Sequence, residues 1–472
     1  MRRNYLIFAI VGSALMMGSI DLTIVSVALP TMLRELDTSL ALASWTLTAS
    51  QLTQTVTLPL AGKLADKFGR KRLFLCSVAL FCAGSIGSGV APSIYLLILC
   101  RVAQASGAAM FFPCAASIVG DVFEEGRQVA IGLFVTIFQL GGVIGPNIGG
   151  LITDHLSWRW VFFVNVPVSV VVVLLGIALL PKDKTPDEST RPHIDTYGAA
   201  LFAAGMFSVL FGLTHLANHP DDLAAPLPWF SMACGVALLL AFVRQESRTA
   251  EPIIDLKLLR WRPFLACNAQ LFMWSGAFNG FFNFIPYYAT IAYGMSATEA
   301  GAILTPRSLA AVIVSFVSSI FVGRMGYRRP WLTGIYMMAT SMFLMSLGLD
   351  GIGVLGLEVS PFVLLCLITG LGGVAIGVAI PPSQNAYFDL VPDQMATAAG
   401  FRAMFGNSGA VFVTALVTLT LSQFSDKVLG FHVIFAALGC LVLLSQIWAF
   451  MVPEKPKRPV ARDTGPATIS RP

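Results

Sequence analysis

GKLADKFGRKR, residues 62–72, sets two glycines, one acid and five basic residues between two long apolar runs. A hydrocarbon core needs about 20 apolar residues per helix, so this dense charged turn reads as an aqueous loop between two membrane helices. Composition agrees: over 472 residues, 56% are apolar and only 12% charged, with a mean hydropathy of +0.77. Such a chain belongs in a bilayer. Working outward from the loop, apolar stretches fall at 5–30, 43–62, 73–91, 94–120, 129–152, 160–181, 196–217, 225–243, 263–289, 299–322, 331–349, 361–384, 396–422 and 431–452. They are long and continuous rather than short and alternating, which sets a β-barrel aside and predicts an all-α polytopic protein of fourteen spans.

Arg2 and Arg3 precede the first run, but about 26 residues is too long for the apolar part of a signal peptide and no small-residue cleavage site closes it. That run is expected to remain as a helix. With the N-terminus inside, 24 of the 30 Lys and Arg lie in cytoplasmic segments, while Arg34, Arg159 and Lys427 lie outside and Arg101, Arg307 and Arg402 lie within helices. This asymmetry predicts cytoplasmic termini in a cell membrane of the bacterial inner-membrane type. The net charge of +5 therefore reports topology, and nucleic acid is not an expected partner.

The eight cysteines all fall in predicted helices without CxxC pairing, and the five histidines are scattered, so neither a disulfide framework nor a metal site is expected. There is no G-x-x-x-x-G-K-[ST] phosphate loop and no H-E-x-x-H pair. Neither an enzyme nor a cofactor is implied.

Two polar segments divide the chain. PKDKTPDESTRPHIDT at 181–196 follows the first six helices, and RQESRTAEPIIDLKLLRWRP at 244–263 precedes the last six. The expected organisation is an N-terminal six-helix half (1–181), linkers with an inserted two-helix hairpin (182–262), a C-terminal half (263–452) and a disordered cytoplasmic tail (453–472). GRMGYRRP at 323–330 repeats the opening loop weakly, at the same place in its own six helices but without the acid. Repeated halves suit a rocking transporter with substrate between them.

The loop, with Gly62, Asp66, Gly69, Arg70, Lys71 and Arg72, resembles the signature loop of the major facilitator superfamily. RVAQASGAAM at 101–110 resembles that family's buried-arginine motif, and GGVIGPNIGG at 141–150 is similar to the motif of its antiporters. Gly141, Gly145 and Gly149 share one helix face as a bare ridge, beside Gly142, Pro146 and Gly150, and the proline favours a kink. GSIDLTIVSVALP at 18–30 and WRWVFFVNVP at 158–167 resemble the fourteen-span drug/proton antiporter branch. The resemblance implies the major facilitator fold and proton-coupled export of hydrophobic or amphipathic compounds by alternating access. It also makes Asp66 and the basic cluster a cytoplasmic gate. One rival exports a specific metabolite or lipid on the same fold; another is a channel or a non-transporting receptor.

Asp21 and Arg101 reach similar depth, about 13 and 10 Å below the outer boundary, so they can pair. Burial favours a neutral carboxyl and a nearby arginine an ionised one. Those opposing pulls make Asp21 a candidate proton carrier for which substrate could compete, the alternative being a static ion pair that fixes packing. The substrate cavity is read from Gln51 and Gln54 in SWTLTASQLTQTVTLP (44–59), Gln139, and Phe278, Asn279, Phe282 and Asn283 in MWSGAFNGFFNF (273–284), with Arg307, Arg402 and Asn407. Alternatively, the threonines satisfy their own backbone and the phenylalanines face lipid. Arg402 sits one turn before Gly406, where the related family segment usually carries its arginine, and no acid lies in the core of the last six helices to act as a second carrier. Substrate, protons and lipid are the expected partners. Oligomeric state is left open, a monomer being the simplest unit.

Overall fold

The computed structural model describes residues 2–123, 127–181, 183, 195–219, 224–249, 256–349, 353–354, 357–391 and 395–454. These residues are almost entirely helical. The first part of the chain forms α1 (Arg2–Glu35), α2 (Leu40–Phe68), α3 (Arg70–Val90), α4 (Ile94–Ala109), α5 (Phe111–Val122), α6 (Arg127–His155), α7 (Trp160–Phe163) and α8 (Asn165–Leu179). Then come α9 (Thr196–Asn218), α10 (Pro226–Glu246) and the single turn α11 (Leu256–Leu259). The last part comprises α12 (Arg262–Phe282), α13 (Ile285–Tyr293), α14 (Ala297–Ala302), α15 (Thr305–Met325), α16 (Arg328–Ser346), α17 (Pro361–Leu390), α18 (Met395–Ser422) and α19 (Lys427–Phe450). A two-residue antiparallel ladder, Gly353–Val354 with Leu357–Glu358, precedes α17.

Prolines explain two of the breaks. Pro286 and Pro306 stand in the first turns of α13 and α15, where a missing N–H costs nothing, but neither can continue the helix before it. Among the described residues ten helical stretches are long and apolar enough to cross a bilayer. The other expected spans coincide with α2, α6, α12–α13 and α16, which form helices but fall outside that set. In α2 and α12 amides that lower the hydropathy bond to other helices: Gln51 donates to Asn279, and Asn268 accepts from Tyr387 of α17.

One pairing pattern occurs twice. In the first part α1 packs along α6, α3 along α4, and α3 against α8; in the last part α12 packs along α18, α16 along α17, and α16 against α19. The two parts meet where α2 lies along α18 and α6 lies against α14 and α15. The pair α9–α10 packs on itself and touches both α2 and α18 through α9. Its outer face exposes Leu227, Trp229, Phe230, Val236 and Leu240. An apolar surface of that kind is expected of a bilayer-facing helix.

Candidate functional site

Asp21 and Arg101 meet in the interior of the first part. Arg101 Nη1 donates to Asp21 Oδ2 at 2.6 Å, and the two residues are 1% and 4% exposed. Gln104, one turn beyond Arg101 on α4, donates to Asp21 Oδ1 at 2.7 Å and to Ser85 Oγ at 2.7 Å, while accepting from Arg101 Nη1 at 2.6 Å. Asn165 Nδ2 adds a 3.3 Å bond to Asp21 Oδ1, and Arg101 Nε donates to the Thr46 carbonyl at 3.2 Å. The guanidinium also lies over Phe162, 5.7 Å from the ring centre. One carboxylate thus gathers donors from α4 and α8, with α2 completing the arginine's shell. Buried charges persist only when paired and hydrogen-bonded in this way. Gln104 and Asn165 were legible as amides inside RVAQASGAAM and WRWVFFVNVP, but only the fold shows that they converge.

The glycine motif on α6 has two working faces. A Cβ at Gly141 would strike Ser19 and the Met16 carbonyl, one at Gly145 would overlap Thr23, and one at Gly149 would strike Ile24, so this ridge is where α6 beds into α1. The neighbouring face meets the other part of the chain. The Ser308 hydroxyl approaches the Gly142 carbonyl at 3.5 Å, Gly301 lies against the Pro146 carbonyl, and Gly150 lies against Ala297 and Thr298. A Cβ at Gly142 itself would meet open space, so only its carbonyl is used. Thr305 Oγ1 donates to Asn147 Oδ1 at 2.9 Å. At the end of α6, Asp154 accepts from the backbone N–H groups of Ala297 at 3.1 Å and Thr298 at 2.6 Å, which begin α14. Asp154 lies just beyond the expected span 129–152. Burial pulls its pKa up, but the Thr298 hydroxyl, the two N–H donors and His155 outweigh that and leave it below the usual carboxylate value. No sequence signal joins Asp154 to residues 143 positions away.

The loop at 62–72 is fastened within its own part. Gly69 has φ +92°, a conformation that favours glycine, and a Cβ there would run into Asp183. Asp183 accepts from the backbone N–H of Lys71 at 2.7 Å and of Arg72 at 3.1 Å, while Lys71 Nζ donates to the Ile177 and Leu180 carbonyls at the end of α8. The weak repeat copies this. Gly326 has φ +75° with Glu454 against it, and Arg328 donates to the Phe450 and Val452 carbonyls at the end of α19. The second loop has no acid of its own, and the chain beyond α19 brings one to it. Gly62, Asp66 and Gln139 lie on described helices, but their side-chain surroundings fall outside the described residues.

Between the two parts lies a cavity of about 450 Å³, walled by Leu15, Gly18 and Leu22 of α1, Gln54 of α2, Phe111 of α5, Gln384 of α17 and Ala403 of α18. Asp21 is one residue from this wall but faces away from it, sealed in its network. Direct competition between substrate and proton for Asp21 therefore requires rearrangement from this state. A second cavity, about 210 Å³, is lined by Gln270, Trp274, Phe278, Asn279, Trp331, Ser383 and Arg402.

Several expected lining residues lie elsewhere. Phe282 is 2% exposed and Phe281 fully buried, both packed in the core of the last part because they face α19 and α17 rather than the interface. Gln51 Nε2 instead bridges the parts to Asn279 Oδ1 at 3.3 Å. Asn283 caps α12, its Nδ2 buried without a partner among the described residues, and neither it nor Asn407 lines these two cavities. Thr46, Thr53 and Thr55 donate to carbonyls of their own helix, three or four residues back. Arg307 lies over Phe282 and Phe278, 4.6 and 5.6 Å from their ring centres. At the end of α17, Asp389 accepts from the Tyr327 hydroxyl. That bond, with burial and the carboxylate's charge, pushes Tyr327 up to about 12.

The family model described as Major Facilitator Superfamily matches residues 11–351 and 292–470. The chain is 31% identical over 336 residues to the multidrug transporter protein MdtP of Bacillus subtilis, covering 71% of this chain and 61% of that protein. It is 31% identical over 391 residues to the tetracenomycin C resistance and export protein of Streptomyces glaucescens, covering 83% and 70%. A multidrug resistance protein B homolog of Mycobacterium tuberculosis is 30% identical over 420 residues, covering 88% and 76%. In fold, the chain is similar to the xylose transporter XylE from E. coli in a partially occluded inward-open conformation. The TM-score is 0.62 at 12% identity, covering 96% of this chain and 100% of that one.

Proposed function

Because the chain belongs to the Major Facilitator Superfamily, we propose that it is a proton-coupled exporter of hydrophobic or amphipathic small molecules, working by alternating access. The observation that carries this reading is the Asp21–Arg101–Gln104 network, a buried titratable group placed one helix face behind the cavity between the two parts. Ionised Asp21 binds α1 to α4 and α8. A proton taken up by its carboxyl would remove the charge that holds Arg101 and Gln104, loosening that clamp and changing the balance between two arrangements of the parts. Export rather than uptake draws support from relatives named for multidrug transport and tetracenomycin C export.

In this reading α9 and α10 are a hairpin inserted between two six-helix halves of a fourteen-span chain in a bacterial inner membrane. The basic residues put the Gly69 end in the cytoplasm. The Asp154 latch then closes the outer side, and the 450 Å³ cavity lies toward the cytoplasm. Asp66 and the basic cluster around Arg70 are the gate that holds the inner ends together in the opposite state. Purified protein in liposomes with an imposed pH gradient should accumulate several chemically different amphipathic compounds. Accumulation of one compound alone would favour a dedicated metabolite or lipid exporter. Flux indifferent to the gradient would rule out antiport.

A further inference from the structure

Arg101 is buried and Arg402 half-buried, each in a membrane helix, and their surroundings differ. Arg101 has a carboxylate, an amide oxygen and a backbone carbonyl. Arg402, with five N–H donors on a group that stays charged, has one long bond to Ser383 Oγ at 3.4 Å and the face of Tyr387 at 5.5 Å. Arg307 is similar: its hydrogen bond runs at 3.4 Å to the adjacent Ser308, and the rest of its contact is with the rings of Phe278 and Phe282. Among the described residues neither arginine has a carboxylate partner. In the sequence the acids of residues 263–452 sit at helix ends or in loops. The last part of the chain therefore holds two positive charges beside one aromatic wall, without compensation from its own helices.

An uncompensated guanidinium in a membrane interior is costly, and it persists where it faces water or receives an anion. Arg402 faces the 210 Å³ cavity, whose other walls are the rings of Trp274, Phe278 and Trp331 and the polar side chains of Gln270, Asn279 and Ser383. That volume accommodates a carboxylate and a ring edge but not a whole drug-sized molecule. The larger, more apolar cavity is walled by the next residues on the same two helices: Ser383 and Arg402 line the small one, Gln384 and Ala403 the large one. An acidic head and an apolar body would fit the two together.

We infer that the small cavity is an anion subsite, and that the preferred substrates are aromatic amphipaths carrying a carboxylate, which pairs with Arg402 while Arg307 adds to the positive field. This inference rests on the exporter reading above and names its substrate class. Charge selection follows from pairing: the carboxylate makes charge-assisted hydrogen bonds with a planar fork, whereas an ammonium would meet two like charges.

The test uses full-length protein in nanodiscs and three fluorescent probes of one shape: pyrenebutyrate, its primary amide and pyrenebutylamine. The wild type should bind the carboxylate about tenfold more tightly than the amide, and the amine more weakly than either. Arg402→Gln should collapse the carboxylate-to-amide ratio to about one, while Arg402→Lys, which keeps charge but loses the fork, should retain part of it. The wild-type comparison alone is decisive even where a variant does not fold. Equal binding of carboxylate and amide, or a ratio that survives Arg402→Gln, overturns the inference. Efflux of the same probes from proteoliposomes separates the two readings. Charge-selective binding without transport of any probe removes the exporter and keeps the subsite; transport without charge preference does the reverse.

Discussion

At Asp21 the two carboxylate oxygens accept from Arg101, Gln104 and Asn165. Asp21→Asn keeps the size of the side chain but cannot titrate. The variant should fold, bind substrate and pass it down a concentration gradient, yet fail to drive it uphill with a pH gradient in proteoliposomes. Retained pH-driven accumulation would make the pair a packing device. Arg101→Leu is expected to be harsher, because it leaves a buried carboxylate without its cation. The loss should be about 3–5 kcal/mol, read as a lowered unfolding temperature in detergent. The presence of the pair was legible in the sequence, since an acid and an arginine at matching depth in apolar runs each need a partner. Gln104 and Asn165 were not, because an amide in a helix can satisfy itself locally and only the packing of α1, α4 and α8 shows that these two do not.

The elements tell a similar story for the glycines. The ridge Gly141, Gly145 and Gly149 was readable from its four-residue spacing, but its partner, α1, was not. Gly145→Leu would force a side chain into Thr23 and the Ile20 carbonyl. Export should fall, or protons should leak where α6 no longer seals, as measured by proton flux into liposomes without substrate. Flux and leak both equal to the parent's would show that the ridge is not a functional contact. At the other end of the bundle, Asp183 serves as a cap for the first turn of α3. Asp183→Ala should cost about 0.5–2 kcal/mol, seen as a lower unfolding temperature. A change below the scatter of replicate melts would show that Lys71 and the α8 carbonyls hold the loop without it.

For the whole molecule, one of the contacts between the two parts is that of Asp154 with the start of α14. Asp154→Ala should loosen it, and spin labels placed on either side, near residues 155 and 297, should report a longer and broader distance distribution. An unchanged distribution would assign the closure to the other contacts between the two parts, Gly150, Asn147 and Thr305 among them. The pH dependence has a definite sign. The carboxylate's pKa is lowered in the closed arrangement, so its contribution is complete above the ordinary carboxylate value and is lost only as pH falls through the lowered one. The label distance should therefore be flat between about pH 5 and 8. A distance that shifts across that range would show that the Asp154 contact itself responds to protons.

By itself the sequence determined that this is an all-helical membrane protein, where most of its helices lie, which loop carries the basic turn, and which charged residues lie in the apolar spans. Each of these depends on local chemistry: the length of an apolar run, the cost of a charge within it, and the backbone freedom of a glycine. Only the tertiary structure decided that Gln104 and Asn165 join the Asp21–Arg101 pair, that among the described residues Arg402 and Arg307 face no carboxylate, that Phe282 belongs to the core and Phe278 to a cavity, and that Asp183 and Glu454 complete the two repeated loops. Those outcomes depend on which helices become neighbours, in the loops across more than a hundred residues. Pairing and burial at that range are properties of the packed bundle and leave no periodicity in the chain to read.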